Sequence, residues 1–174
     1  MNVPKPAYVT SMTDEEWSKA ILQERVLHVA SSCKGVREVG SNAGTAVGKF
    51  LARCGLPVGY SWCAAFAYWC LTEAGADPKK LPDNRKAAGV VNWRAWAGKR
   101  ITNNPRRGRL FFWLDGGKGH IGFVLDSGDA FKTIEGNTNK AGSREGDGVY
   151  ERIRTMNMLR KHDRCGFIKL NDLE

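Results

Sequence analysis

One stretch of the sequence, residues 61–74, is apolar nearly all the way round a helical turn. It reads Ser-Trp-Cys-Ala-Ala-Phe-Ala-Tyr-Trp-Cys-Leu-Thr-Glu-Ala, and Gly75 follows it. A helix of this kind has no face suited to water, and it is shorter than the roughly 20 residues that cross a bilayer. We therefore expect it to be the buried helix of a folded domain, with Ser61 as its N-cap and Gly75 just beyond its C-terminal end.

Further helices are predicted on both sides of this stretch. Thr13 and Glu16 have the spacing of a capping box, which predicts a helix from Asp14 to about Ser32. Apolar residues at helical spacing predict a second helix from about Gly44 to Arg53 and a short one near Val90 to Ala97.

The second half of the chain is typical of β-strands. Apolar and aromatic runs alternate with turns rich in Gly and Asp, which is the pattern of antiparallel hairpins. The predicted strands cover Leu110–Leu114, His120–Leu125, Ala130–Glu135, Gly148–Ile153 and Cys165–Leu170. Helices followed by strands indicate an α+β fold. The chain has 174 residues, so we expect a loose lead-in over 1–12 and a single domain over 13–174.

The chain is strongly basic, with a formal net charge of +9. Such a charge favours polyanionic partners, of which nucleic acid and an anionic cell wall are two, and charge alone does not choose between them. No membrane span and no secretory signal are visible, so we expect synthesis in the cytoplasm. The five cysteines lack the spacing of a zinc site and only three histidines are present, so we expect no metal and no cofactor.

Cys63 is the candidate nucleophile. It stands at the predicted start of the apolar helix, where the positive end of the helix dipole favours the thiolate, the attacking form of cysteine. A buried structural cysteine is the competing interpretation. His120 is the candidate base, because it opens a strand after a Gly-rich turn and Gly122 leaves room beside it on the same face. His28 lies inside a predicted helix and His162 lies in a charged turn, so both are weaker candidates.

Glu135 ends the next predicted strand, and Asn137 follows two residues later on the same strand face. Either side chain is able to accept a hydrogen bond from the imidazole of His120 and so fix its tautomer. The spacing does not rank the two residues.

These residues lie in three short motifs that resemble one known family. Residues 62–66 read Trp-Cys-Ala-Ala-Phe, residues 119–122 read Gly-His-Ile-Gly, and residues 134–138 read Ile-Glu-Gly-Asn-Thr. In this order they are similar to the CHAP domain, a papain-like group of cysteine- and histidine-dependent amidohydrolases and peptidases that act on peptidoglycan. The resemblance extends from about residue 36 to residue 150. It departs from the family at residues 105–109, Pro-Arg-Arg-Gly-Arg, where an arginine replaces a common acid.

The resemblance implies a papain-like fold in which the nucleophile begins a buried helix packed on an antiparallel sheet of five to six strands. It implies that Cys63 is the nucleophile and His120 the base, with Glu135 and Asn137 completing the site. The expected reaction is cleavage of the muramoyl–L-alanine bond or of a peptide bond in the stem or crossbridge. The expected setting is the periplasm or cell wall, reached by a phage lysin through a holin or by an injected antibacterial effector with an immunity partner.

Ser61, Trp62 and Trp113 are the candidate substrate-binding residues, since flat rings cover sugar or peptide. Core packing is the competing interpretation for each tryptophan. We expect a monomer that binds peptidoglycan and does not bind nucleic acid. Two alternatives stay open: the same thiol chemistry on an amide outside the cell wall, and a basic module that binds nucleic acid or wall without catalysis.

Overall fold

Helices and one antiparallel sheet make up the fold, and the computed structural model describes residues 3–141 and 145–174 of it. Within those residues the helices are α1 (Asp14–Lys19), α2 (Leu22–Ser32), α3 (Thr45–Arg53), α4 (Cys63–Glu73), α5 (Val90–Ala97) and α6 (Met156–Leu159), with 3₁₀ turns at Pro78–Lys80, Asn84–Ala88 and Gly98–Arg100. The strands are β1 (Ile101–Thr102), β2 (Leu110–Asp115), β3 (Lys118–Val124), β4 (Ala130–Thr138), β5 (Gly148–Thr155) and β6 (Arg164–Ile168). The sheet has the order β1-β6-β2-β3-β4-β5, which confirms the predicted α+β class.

Helix α4 is the buried helix that the apolar stretch predicts. Every residue from Cys63 to Leu71 is buried, and the helix contacts α2, α3, β3 and β4. Gly75 follows the C-terminal cap with a φ of +97°, as predicted. The prediction that Ser61 caps the start is wrong: Trp62 is the N-cap residue, and no side chain caps the helix. The Ser61 hydroxyl instead donates to Glu145 Oε2 (3.4 Å).

The predicted helix from Asp14 to Ser32 is divided into α1 and α2, because Ala20 and Ile21 adopt extended backbone. The capping box at its start is confirmed. The guanidinium of buried Arg25 explains the break, because it donates a hydrogen bond to the Ala20 carbonyl. In a continuous helix this carbonyl would accept from a backbone N–H. Arg25 also donates to the Ala74 carbonyl (2.8 Å) and pairs with Glu174. One buried cation therefore joins the break in the first helix to the end of α4.

The lead-in over residues 3–12 contains no helix or strand, and Met1 and Asn2 lie outside the described residues. Val9 is nonetheless fully buried, and the indole of Trp17 donates to the Val3 carbonyl (2.9 Å). This segment therefore lies on the helical layer. None of the helices in the described part of the chain is both long and apolar enough to span a membrane.

The two faces of the sheet have different coverings. Strand residues alternate between the faces; Phe112 and Ile121 join the core that contains α4. Phe111 and Trp113 join a second cluster that Leu159 of α6 covers. His120 pairs in register with Trp113, so it belongs to this second face.

The ladder between β3 and β4 is short. It is paired at Phe123–Ile134 and at Val124–Thr133, and the pairing ends before His120 and Gly136 are reached. The start of α4 lies against Gly136, because a Cβ built there would stand 2.7 Å from Trp62 and 2.8 Å from Phe66. The first turn of α4 therefore meets the sheet where β3 and β4 have parted.

Replacing Arg25 with Met is expected to lower the free energy of unfolding by about 1–3 kcal/mol, because the buried Ala74 carbonyl would lose its donor. Urea unfolding followed by circular dichroism measures the change, and Arg106→Met, at an exposed position, is the control. Equal stabilities for the two variants would contradict the assignment of Arg25 as the link between the helices.

Candidate active site

Cys63 is the first residue of α4, so its thiol lies at the helix N-terminus, as predicted. Its exposed fraction is 5%, so Cys63 is buried with little of its surface exposed. Since the side chain of the N-cap residue, Trp62, makes no capping hydrogen bond, the first-turn N–H groups remain directed out of the helix end beside the thiol. A negative charge that develops next to Cys63 is therefore stabilised by the helix end.

His120 and Glu135 form a buried pair on the sheet. Both side chains are fully buried, and His120 Nε2 lies 2.8 Å from Glu135 Oε2. The other ring nitrogen, Nδ1, is buried and makes no hydrogen bond of regular geometry with any described residue. The Cys63 thiol interacts with the His120 ring, and Nδ1 is the nitrogen left for it. Hydrogen bonds of catalytic groups are often loose until substrate is bound.

Glu135 accepts hydrogen bonds on both carboxylate oxygens. Thr133 donates to Oε1 (2.5 Å). Arg154 donates through Nε to Oε1 (2.9 Å) and through Nη2 to Oε2 (2.6 Å), which is the two-point pairing of guanidinium with carboxylate. Together with His120, three side chains hold this carboxylate in one orientation.

These contacts set the protonation states of the buried pair. Burial acts to lower the pKa of His120, but hydrogen bonds and charge interactions with Cys63 and Glu135 outweigh it and raise this pKa to about 9. Burial acts to raise the pKa of Glu135, but the hydrogen bonds from Arg154 and His120 outweigh it and lower this pKa to about 2. At neutral pH the pair is therefore imidazolium and carboxylate.

Gly122 leaves room for the Glu135 side chain because it has no side chain of its own. A Cβ built at this position would lie 2.8 Å from Glu135 Cγ and 2.9 Å from Phe111, distances that real side chains do not show. The room that the sequence predicts beside His120 is thus present, and Glu135 occupies it.

Asn137 lies near the start of α4 and is not bonded to His120. Its φ is +55°, and it sits in an irregularity of the β4–β5 ladder between Glu135 and Thr138. The amide orientation that satisfies both neighbours has its nitrogen donating to the Gly146 carbonyl (3.0 Å) and its oxygen accepting from Trp62 N (3.3 Å). The geometry therefore ranks Glu135 as the partner of His120 and gives Asn137 the support of the α4 N-terminus.

The three candidate substrate-binding residues have different surroundings. Trp62 is fully buried, and its indole donates to Glu38 (2.6 Å), so its side chain packs in the core and offers no face to a substrate. Trp113 has one ring face stacked on His162 at 3.9 Å and lies 6.0 Å from the His120 ring. Ser61 is partly exposed two residues before Cys63, and it is the most exposed of the three.

Comparison with protein families gives one match, in which residues 55–137 match the model of the CHAP domain. This segment of the chain is therefore similar to the CHAP domain. The matched segment is shorter than the predicted resemblance, but it includes Cys63, His120, Glu135 and Asn137. Searches of curated proteins and of solved structures gave no match.

The match to this family agrees with a papain-like α+β fold. It also supports a hydrolase of the amidase or peptidase type that depends on a cysteine and a histidine, with peptidoglycan as the general class of substrate. The buried Cys63, His120 and Glu135 cluster is an arrangement suited to that chemistry.

Arg154 and Thr133 are the site residues that the sequence did not predict. The strand that carries Arg154 is predicted to end at Ile153, two residues too early, because β5 continues to Thr155. A signal was present, because a carboxylate that is predicted to pair with His120 at the end of a strand requires a partner for its charge once it is buried. The chain offers 27 lysines and arginines, and only the cross-strand register identifies the right one.

Titration of His120 tests whether Glu135, rather than Asn137, is the partner of its imidazole. We expect its imidazole to titrate at about pH 9 in NMR spectra, and Glu135→Gln to lower this midpoint because the stabilising anion is lost. Since the pKa is raised on folding, the stability that His120 contributes is fully present below its unfolded value of 6.5 and is lost as the pH rises through about 9.

Asn137→Gly is the matched comparison, since glycine accepts the positive φ and removes the amide. We expect this variant to leave the His120 midpoint in place. A shift as large as that of Glu135→Gln would show that Asn137, and not Glu135 alone, sets the state of the ring.

Proposed function

We propose that this protein hydrolyses an amide bond of the peptidoglycan peptide, either the N-acetylmuramoyl–L-alanine bond or a peptide bond of the stem or crossbridge. The observation that carries the proposal is the cluster of Cys63 with the His120–Glu135 pair inside a segment that matches the CHAP domain. In this proposal Cys63 is the nucleophile, His120 is the general acid and base, and Glu135 orients His120.

The first half of the reaction forms a thioester. The Cys63 thiolate attacks the carbonyl carbon, and the backbone N–H of Cys63 at the open start of α4 stabilises the oxyanion. The imidazolium of His120 then gives the Nδ1 proton to the departing nitrogen, the C–N bond breaks, and the amine leaves. Glu135 keeps the ring in place through Nε2 during this transfer.

The second half releases the acyl group. A water molecule gives one proton to the now neutral Nδ1 of His120 and attacks the thioester carbon. The C–S bond breaks and the product carboxylic acid leaves. The thiolate–imidazolium pair is then restored. The two halves use the same nitrogen, which the structure leaves without a regular hydrogen-bond partner.

The surface beside Cys63 suits a peptide substrate. Val58 and Tyr60 are exposed directly before Ser61, and exposed Val39 follows Glu38, which holds the Trp62 indole. The two loops are joined by the hydrogen bond from Gly59 N to the Asn42 carbonyl (2.8 Å). Apolar groups exposed together mark contact surfaces, and methyl-bearing stem residues are suitable ligands for them. The net charge of +9 would hold the protein near anionic wall polymers.

The biological setting that we propose is lysis of bacteria from the wall side. A phage lysin released through a holin, or an injected effector paired with an immunity protein, would both bring a basic enzyme to the periplasm or cell wall. In either setting we expect the protein to act as a monomer on peptidoglycan, without a nucleic-acid partner.

Purified peptidoglycan provides the direct test. We expect the wild type to clear a wall suspension, and Cys63→Ala and His120→Ala to lower the rate roughly a thousand-fold or more, because a missing nucleophile or base removes the covalent route. Mass spectrometry of the released fragments then identifies the bond that is cut.

Cys165→Ala and His28→Ala are the matched controls, since each removes the same functional group away from the site, and both should keep wild-type rates. A wild type that leaves walls from several bacterial types intact would refute wall hydrolysis. A Cys63→Ala variant with full activity would refute the assigned nucleophile. DNA binding that weakens steeply with added salt would instead favour a nucleic-acid partner.

A further inference from the structure

Glu135 has one further charged partner besides His120. Arg154 extends from β5 and pairs with both carboxylate oxygens, at 2.9 Å and 2.6 Å. The Arg154 side chain is 13% exposed, whereas that of Glu135 is completely buried. The ion pair is therefore held inside the protein, and Oε2 of Glu135 is shared by Arg154 and His120.

We propose that Arg154 is a positioning residue for the reaction, which acts through Glu135 to hold His120 with Nδ1 directed at Cys63. The catalytic part of this inference rests on the proposed function. The structural part, that Arg154 determines the state of Glu135, is independent of which amide is cut.

The geometry leaves Glu135 with no second orientation. Oε1 accepts from Thr133 and from Arg154 Nε, while Oε2 accepts from Arg154 Nη2 and from His120 Nε2. A planar guanidinium fixes both oxygens of a carboxylate in its own plane. The position of Oε2, and therefore of the imidazole bonded to it, follows from the position of Arg154.

The charged groups around Glu135 also indicate that Arg154 determines its state. The groups that face Glu135 from neighbouring strands are His120 on β3, Phe111 on β2, and Tyr150 and Arg154 on β5. The Tyr150 hydroxyl is taken by Asp147 (2.9 Å), and Phe111 is apolar. Within the described residues, the charged groups that lower the pKa of Glu135 are thus Arg154 and His120.

Loss of Arg154 would change where the proton resides. Burial favours the neutral carboxylic acid, and His120 alone would then oppose it. A buried carboxyl and imidazole left to themselves share one proton between them. The site would spend part of its time as carboxylic acid and neutral imidazole, a state that lacks the imidazolium needed to protonate the leaving amine.

The kinetic test compares Arg154→Met and Arg154→Lys with the wild type on soluble wall fragments. We expect Arg154→Met to lower kcat roughly 10- to 100-fold, the range for residues that orient a functional side chain, with little change in KM because Arg154 does not touch substrate. Arg154→Lys keeps the charge but loses the two-point geometry, so its kcat should lie between the two.

Arg152→Met is the matched control. Arg152 lies two residues away on the same face of β5, and its guanidinium donates to the Lys140 carbonyl, so its replacement removes the same charge without touching Glu135. We expect wild-type kcat for it. In a Glu135→Gln background, Arg154→Met should cost no more than about 2-fold further, since residues that act through one another are not additive.

NMR gives a readout that does not require activity. With ¹³Cδ-labelled glutamate, and the Glu135 signal assigned by its loss in Glu135→Gln, we expect Glu135 of the wild type to stay ionised throughout the folded range, since its pKa is about 2. In Arg154→Met its midpoint should rise above the ordinary value of 4.5, while Arg152→Met leaves it unchanged.

An unchanged Glu135 titration in folded Arg154→Met, or an equal loss of kcat in Arg152→Met, would overturn the inference. If the wild type cuts no wall fragment, the proposed function fails, and the titration still decides whether Arg154 governs Glu135. If the fragments are cut and the titration does not move, the proposed function stands and the role of Arg154 is wrong.

Discussion

The buried carboxylate of Glu135 is the constraint on which the site depends. A charge without solvent contact is tolerated only when it is paired and hydrogen-bonded, and Glu135 obtains its partners from two other strands, His120 on β3 and Arg154 on β5. Gly122 must lack a side chain for the carboxylate to fit. A shift of one residue in either ladder would send these side chains to the opposite face. The register that folds the sheet is therefore the register that builds the site.

The second half of the site is held by different means. Cys63 owes its place to α4, whose burial on all sides fixes the helix in the core. The close approach of Gly136 to Trp62 and Phe66 brings the helix start to the gap between β3 and β4, and Asn137 holds Trp62 N. Residues 135–137 therefore contact both halves of the site. Glu135 contacts His120, Gly136 leaves room for the start of α4, and Asn137 accepts a hydrogen bond from Trp62 N. One short segment therefore aligns Cys63 and His120, the proposed nucleophile and base.

The sequence predicted the elements whose signals are local. The apolar stretch, the capping box at Thr13 and the Gly- and Asp-rich turns each depend on neighbours within a few residues, so α4, α3, α5 and the main strands were found. Non-local features were not found. The break at Ala20 depends on a guanidinium that also binds the distant Ala74 carbonyl, and the choice of Arg154 depends on the pairing of β4 with β5. The burial of Trp62 likewise follows from Glu38, which lies far away in the sequence.

The charge balance of the site explains why an arginine pairs with the carboxylate that orients His120. In the proposed mechanism the form ready for attack carries a thiolate at Cys63 and an imidazolium at His120, which together have no net charge. Adding Glu135 alone would leave one uncompensated negative charge in a buried site, and burial would remove it by protonation. Arg154 restores neutrality by donating to both oxygens of Glu135, one of which also contacts His120. Its positive charge keeps Glu135 ionised while this carboxylate remains in contact with the imidazole. The proton therefore stays on His120, where the reaction needs it.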